Sequence, residues 1–568
     1  MRSAIFLLTY LVPLITAEQV VLQQPHIEPP KNSHIRDLVW GDLNFIHTTD
    51  THGWYAGHLN QKQYSADWGD FISFTKHMRD EADDNNVDLL LIDTGDKYDG
   101  NGLSDATEPM GLISNKVFNQ QDYDLITLGN HELYDEAKST QEFELNVARY
   151  GEHYISSNVE FLNQNNDWVP FGNQYRYFVT KRQQKRVLAL SFLFNFKRFN
   201  SKVRVTPLLK SIKEDWFKDL TEKYTENDID VLIVFGHLPI TDIDSREINR
   251  LHSHLRSIYP KTIIQYFGGH SHIRDFVQFD FLSTGLQSGR YCETAGWLSI
   301  NSTSNEFNRR YIDFNKESFT HHANVDKFDT AAGLELSNFI HNQRLSLNLA
   351  FSYGYVPDSY LLNQYPLGHE RNLFNFLNST ILPTLNRDTS NDRIILINTG
   401  SIRYDLYKGN FTKDTEFIVS PFKNNWNYIT LDRSLAFKIL PFLNDQDYIL
   451  STPETLSTYR GRCPFVDKKG LKKGLTTNDD FGCDGDDVEH NSVGYYPSPN
   501  IIQTHQEFEK QGNSDEIDVV FYDFLKQNII YTLNKFDKER TYSNHDFQLY
   551  KGESVAKLLR NYVKENWS

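Results

Sequence analysis

Five short apolar runs, each ending at a cluster of small, acidic or imidazole side chains, constrain this chain more than any other feature. Leu43-Asn44-Phe45-Ile46-His47 stops at Thr49-Asp50-Thr51-His52, and Asp88-Leu89-Leu90-Leu91-Ile92 stops at Asp93-Thr94-Gly95-Asp96. Asp124-Leu125-Ile126-Thr127-Leu128 gives way to Gly129-Asn130-His131-Glu132. Val231-Leu232-Ile233-Val234-Phe235 ends at Gly236-His237, and Ile263-Ile264-Gln265-Tyr266-Phe267 at Gly268-Gly269-His270-Ser271-His272. Such runs, with β-branched content, read as buried strands. Helix-like stretches such as Trp68–Arg79 and Gln141–Tyr150 lie between several of them, which predicts a layered α/β domain. In such sheets ligands gather beyond the carboxyl ends of the strands, where the polar clusters fall.

The 568 residues are enough for two large domains. Arg2, the apolar run from Ala4 to Ile15 and the small pair Thr16-Ala17 predict an export signal over 1–17. The run is shorter than the roughly 20 residues a membrane span needs, and no later segment is apolar enough to cross a bilayer. A polar lead-in is expected over 18–38 and a catalytic domain over 39–316. Near Glu317-Ser318-Phe319-Thr320-His321-His322 the pattern turns irregular, and helical spacing follows from Ala331. A linker with a linker helix is therefore expected over 317–352, and a second domain over 353–568. Sequons at Asn301, Asn378 and Asn410 agree with export, either to the cell exterior and wall or to a vacuolar lumen. Cys463 and Cys483 flank one polar loop and are candidates for a bridge, leaving Cys292 as a buried thiol.

The net charge of −17 argues against a nucleic-acid partner and disfavours an anionic substrate unless the site carries its own positive charge. The strand ends supply a way to do so. Asp50, His52, Asp96, Asn130, His237, His270 and His272 form a mixed set of carboxylate, imidazole and amide donors suited to divalent metals. If one carboxylate is shared, three unshared donors remain for each of two ions. Two ions roughly 3.5–4 Å apart clamp a phosphoryl group and activate water for in-line displacement. The donor set tolerates Zn, Mn, Fe or Co.

The ordered series Asp50-x-His52, Gly95-Asp96, Gly129-Asn130-His131-Glu132, Gly236-His237 and Gly269-His270-x-His272 resembles the calcineurin-like metallophosphoesterases, and within them the 5′-nucleotidase branch. Asp99-Gly100-Asn101-Gly102-Leu103 is similar to fungal secreted members, and Asn398-x-Gly400-x-Ile402-Arg403 to the substrate-domain motif of 5′-nucleotidases. The resemblance implies a catalytic β-sandwich flanked by helices and a C-terminal α+β substrate domain. It implies that Asp50, His52 and His272 hold one metal, that Asn130, His237 and His270 hold the other, and that Asp96 bridges them. It further implies a metal-bound hydroxide as nucleophile and His131 as the group that stabilises or protonates the leaving oxygen. Asn398 and Arg403 match substrate contacts, Arg403 with the planar fork that suits phosphate. Phe422 and Phe481 are candidates for the pair of rings that stacks a nucleobase. The family's partner acid for the catalytic His lies three residues on. Here that residue is Tyr134, so Asp135, on the same face if the segment is helical, is the expected partner.

The implied function is hydrolysis of small phosphate monoesters, with nucleotides first. Nucleotide-sugars, cyclic phosphodiesters and phosphoproteins are the alternatives within the same chemistry. A non-catalytic binding protein on the same fold would be expected to have lost metal ligands, and all seven are present.

Overall fold

A computed structural model describes residues 34–241, 246–446, 485–488, 496–508 and 515–567. The expected signal, Phe481, Cys463 and Cys483 lie outside the described residues. Cys292 is buried and free.

Eleven strands build the core of the first domain. In chain order they are Leu43–Thr48 (β1), Asp88–Asp93 (β2), Leu125–Ile126 (β3), Tyr175–Val179 (β4), Arg186–Ser191 (β5) and Val231–Phe235 (β6). Ile263–Gly268 (β7), Arg274–Asp280 (β8), Ser283–Ser288 (β9), Thr294–Asn301 (β10) and Glu306–Asp313 (β11) complete them. They form two sheets, ordered β11-β10-β1-β2-β3 and β8-β9-β7-β6-β5-β4.

Period-two alternation decides what each face meets. Phe45, Leu90 and Ile92 of one sheet pack with Val187, Ile233, Phe235 and Phe267 of the other in one buried cluster. Ile46, Leu89 and Leu91 point the other way, onto Trp68, Phe71, Phe74 and Met78 of the helix Trp68–Asp84 (α1). Leu232, Val234 and Ile264 meet Phe217 and Leu251 of helices Asp215–Lys223 and Glu247–Ile258. The result is a β-sandwich with helices outside both sheets, as expected from the resemblance.

Strand register brings the polar clusters together. β1 and β2 are parallel, with Thr48 opposite Asp93, so the loops bearing Asp50 and Asp96 emerge side by side. Backbone pairing continues past the strands, from Asp50 N–H to Gly95 O and from His52 N–H to Asp96 O. β6 and β7 are likewise parallel, with Phe235 opposite Phe267, which sets His237 beside His270.

The stretch expected to be irregular, Glu317–His322, lies instead inside the helix Lys316–Ala323 (α2). Asn315 caps it, and Phe319 stacks on Phe74 with centroids 4.5 Å apart. Burying that ring contributes about 2 kcal/mol, which decides the matter over the weak local pattern. A helix spans Ala331–Ser346 (α3), inside the stretch expected to join the two domains. It lies tightly on α1: a Cβ at Gly69 would stand 2.2 Å from Gly333 O. Ser337 Oγ donates to Asp67, the α1 cap, at 2.7 Å.

The second domain centres on a mixed sheet of Arg393–Asn398 (β12), Trp426–Asp432 (β13), Ile501–Gln506 (β14), Glu516–Tyr522 (β15) and Gln548–Tyr550 (β16), ordered β14-β12-β15-β13-β16. Ile395 and Ile397 face the helix Val555–Asn566, while Ile394 and Leu396 face Lys526–Phe536. Asn398 therefore sits at the end of a buried central strand, and Arg403 just beyond it. No helix among the described residues is long and apolar enough to cross a membrane.

Candidate metal centre and interdomain cleft

All seven predicted metal-site residues are buried or nearly so and line adjoining loops at one end of the sandwich. One ligand atom from each of Asp50, His52, Asp96 and His272 lies within 4.8 Å of the others, and Asp96, His237 and His270 form a second such group. Asp96 belongs to both, the position a shared carboxylate needs. Its Oδ2 lies 2.9 Å from His237 Nε2, and its Oδ1 accepts the His131 N–H at 2.8 Å. A Cβ on Gly129 would meet Asp96 Oδ1 at 2.2 Å, so only glycine admits this approach.

The donor set fits divalent cations on three observations. His237 Nδ1 donates to Thr94 O at 2.8 Å, leaving Nε2 turned toward the carboxylates, 2.9 Å from Asp96 Oδ2. Asn130 Nδ2 donates to Tyr134 Oη at 2.9 Å, while its buried Oδ1 has no partner. His52 Nδ1 contacts the Tyr98 carbonyl, and its Nε2 lies 3.1 Å from His272 Nε2. Each case holds one end of a ligand by its own outer partner and aims the other inward, the usual support of metal-binding histidines.

Electrostatics agree. Burial pushes His52 and His272 down and takes His270 to about 3, so these rings are neutral lone-pair donors. Burial raises Asp50, helped by Asp96 nearby. Burial would also raise Asp96, but His237, His131 and His52 together hold it well below the ordinary carboxylate range. At His237, Asp96 and Asp50 outweigh burial and lift the ring to about 9. The two carboxylates thus concentrate attraction for positive charge at one point.

The backbone is strained where the donors are. Asp50, His52, Asp96, His270 and His272 all have φ between 44° and 74°. This left-handed region costs a non-glycine residue about 1 kcal/mol or more and clusters at functional sites.

His131 lies beside this group, with Nε2 3.9 Å from Asp96 Oδ2. Its Nδ1 is 2.7 Å from Asp99 Oδ2. This corrects the expected pairing with Asp135. Asp135 is exposed and N-caps the helix Glu136–Gln141, accepting the Lys138 N–H at 2.8 Å. Because its residue is a cap, its side chain turns along the helix start and away from the ring. Lys138 Nζ lies 2.6 and 2.7 Å from the two Asp99 oxygens. Burial opposes ionisation of Asp99, but Lys138 and His131 hold it well below the usual range.

A cleft of about 590 Å³ separates the domains and is lined by Asp96, Asn130, His131, His272, Asn398, Arg403 and Phe422, among others. Arg403 reaches across it, with a terminal nitrogen 3.2 Å from His52 Nε2 and 3.4 Å from His131 Nε2. Its Nε has no partner, nor has the buried Oδ1 of Asn398. Phe422 stands 6.2 Å from the His131 ring and 5.7 Å from the Arg403 guanidinium. Phe524, which sequence reasoning missed, lines the same cleft, and the Arg198 guanidinium covers one of its faces at 4.1 Å. Its signal, an aromatic just past the end of a buried strand, is too common to single out.

Residues 43–274 match the family described as Calcineurin-like phosphoesterase, and residues 359–530 match NAD nucleotidase, C-terminal domain. The crystal structure of 5′-nucleotidase from Candida albicans superposes with a TM-score of 0.86 and 47% identity, covering 94% of this chain and 100% of that one. An uncharacterized protein of Saccharomyces cerevisiae is 44% identical over 98% of each chain. A secreted protein of Arthroderma benhamiae is 37% identical, over 93% of this chain and 91% of its own.

Proposed function

The chain belongs to the calcineurin-like phosphoesterases, with the second domain of the 5′-nucleotidases, and from this we propose that it hydrolyses nucleoside monophosphates in the secretory pathway. It is a metal-dependent phosphoric ester hydrolase.

The observation that carries the substrate reading is Arg403. It comes from the second domain yet meets His52 and His131 of the first at 3.2 and 3.4 Å. A guanidinium at that place serves a small anion enclosed between domains, whereas a protein chain needs an open groove. Phe422 beside it offers a ring face for a nucleobase.

Asp50, His52 and His272 would hold one divalent ion, Asn130, His237 and His270 the other, and Asp96 both. Bound there, the pair would supply Lewis acidity toward the phosphoryl oxygens and the attacking water. Arg403 orients the phosphoryl oxygens by paired N–H donation. Asp99 accepts the Nδ1–H of His131 and turns Nε2 into the cleft, from which it hands a proton to the leaving oxygen. Lys138 keeps Asp99 ionised for that task. Asn398 Oδ1 is free to accept from a sugar hydroxyl.

The secretory assignment rests on the N-terminal apolar segment and on the relative described as secreted. Exposure of Asn301 and Asn410 within sequons agrees with it.

The test is a metal-supplemented comparison of AMP, a nucleotide-sugar, a cyclic nucleotide and a phosphopeptide. AMP is expected to show the highest kcat/KM. A phosphopeptide turned over faster than AMP would overturn the reading. A second reading, cleavage of dinucleotide pyrophosphates, is favoured by the C-terminal match to the NAD nucleotidase domain and by the cleft of about 590 Å³.

A further inference from the structure

Besides Arg403, one other guanidinium among the described residues lines the cleft. Arg290 comes from the catalytic domain, in the loop Gly289–Glu293 between β9 and β10. This loop is held on every side. Tyr291 N–H donates to Asp50 O at 2.8 Å, and Tyr291 O lies 2.6 Å from His58 Nε2. The Tyr291 ring stacks on Trp54 and meets His52 and His272 edge-on, each with centroids 5.3 Å apart. Tyr291 and Cys292 both have left-handed backbone, with φ of 54° and 53°. A loop this fixed aims the preceding side chain.

The guanidinium of Arg290 lies 4.8 Å from the Tyr291 ring and 5.7 Å from the Tyr404 ring. Only 20% of its side chain is exposed. Yet it makes no hydrogen bond among the described residues, and its buried Nε has only a long ion-pair contact with Glu293. Its nearest carboxylate, Glu293, stands 3.6 Å away and is also engaged by the Tyr404 hydroxyl. A long ion pair leaves most N–H groups of this largely buried cation without acceptors, a cost that a ligand bearing oxygens would remove. Arg403 is comparable across the cleft: its buried Nε has no hydrogen-bond partner and, unlike Arg290, it forms no carboxylate ion pair among the described residues, its terminal nitrogen lying against the His52 and His131 rings. Two guanidiniums, one from each domain, therefore line the same cleft, Arg403 against His52 and Arg290 one residue before Tyr291, whose ring meets both His52 and His272.

We propose that Arg290 is a phosphoryl-binding residue, which with Arg403 holds the reacting phosphate between guanidiniums supplied by the two domains. This rests on the phosphoester reading above. It assigns a second, catalytic-domain grip on the anion, so that substrate itself ties the two domains together. The ligand chemistry is a tetrahedral oxyanion with at least two free oxygens, which matches the planar fork of arginine.

The experiment measures binding of inorganic phosphate to the metal-loaded full chain by calorimetry, alongside KM for AMP, ADP and 4-nitrophenyl phosphate. Arg290→Gln is expected to weaken phosphate about tenfold with an unchanged Tm, and to raise KM for AMP and 4-nitrophenyl phosphate by the same factor, because the phosphoryl group is what they share. Arg290→Lys, which keeps the charge and loses the fork, is expected to fall between. If Arg290→Gln does not fold, Arg290→Lys decides. Unchanged phosphate affinity in the folded variant would overturn the proposal and leave Arg290 as a prop for Tyr291 and Tyr404. A KM effect confined to ADP would also overturn it, by moving Arg290 to a more distant group. Calorimetry needs no turnover, so a wild-type chain that binds phosphate and cleaves no nucleotide would sink the nucleotidase reading and leave this one standing.

Discussion

The Nδ1 of His131 lies 2.7 Å from Asp99 Oδ2, a carboxylate 32 residues upstream on a different loop. The acid that orients the ring thus enters from the Asp96 loop instead of from the turn that follows His131. A left-handed Asp99, with φ of 64°, turns the chain back to make the contact.

That pairing predicts a leaving-group effect. Asp99→Asn removes the carboxylate that aims Nε2 and should lower kcat for AMP by about a hundredfold, the usual worth of positioned acid catalysis. With 4-nitrophenyl phosphate, whose leaving group needs no proton, the loss should be about threefold at most. Asp135→Asn, at the helix cap, should stay within about threefold on both. Equal losses on the two esters would remove His131 from proton transfer.

Asp96 belongs to both donor groups, so its effect should show in metal content as well as rate. Asp96→Asn is expected to lower kcat by about a thousandfold or more and to reduce the bound divalent ions per chain from two to one or fewer. Elemental analysis of the purified variant checks this. Two retained ions would contradict the shared carboxylate.

Arg403→Ala should raise KM for AMP more than it lowers kcat, because its grip on the phosphoryl oxygens exists before and during the reaction. Steady-state kinetics at saturating metal separates the two constants. An unchanged KM would mean that the 3.2 Å approach to His52 has no part in substrate binding.

Phe422→Ala should raise KM for AMP about tenfold and leave that for 4-nitrophenyl phosphate nearly unchanged, a stacked base being worth about 1–3 kcal/mol. A parallel rise on both would mean the ring packs against His131 and meets no base.

Acid sensitivity has a named contributor in the fold. Burial pushes His47 down to about 3 from its ordinary 6.5, against the pull of Asp50. Its nitrogens lie 2.6 Å from Ser288 Oγ and 3.1 Å from Thr94 Oγ1. The unfolded chain therefore takes up this proton first. The stability involved is fully present above 6.5 and is lost progressively as pH falls toward 3. Between about pH 6.5 and about pH 5 the loss amounts to about 2 kcal/mol. Urea unfolding of chelated protein at the two pH values should show a smaller difference in His47→Gln than in wild type. An equal difference would place the sensitivity elsewhere.

The strands and the convergence of the seven candidate donors are readable because both depend on local pattern. An apolar run such as Val231–Phe235 announces a buried strand, and parallel register then obliges its carboxyl end to meet those of its neighbours. Asp99 was on view in the run Asp99-Gly100-Asn101-Gly102-Leu103, but its pairing depends on one backbone reversal that no periodicity reports. The family's spacing pointed to Asp135, whose stronger local preference is for a helix cap. Arg290 and Phe524 were not singled out for another reason: each matters only through a surface that the other domain brings to it. Phe319 shows the converse, an irregular-looking stretch made helical by what its ring can bury.

Residue 129 has no side chain to offer a ligand, yet the space at its α-carbon is what lets the Asp96 carboxylate reach its place, since a methyl group there would stand 2.2 Å from Asp96 Oδ1. Displacing that oxygen disturbs the one side chain that belongs to both donor groups. Even an alanine at this position is therefore expected to act like the loss of a ligand, and mutational drift is closed off at a residue that no inventory of donors would include.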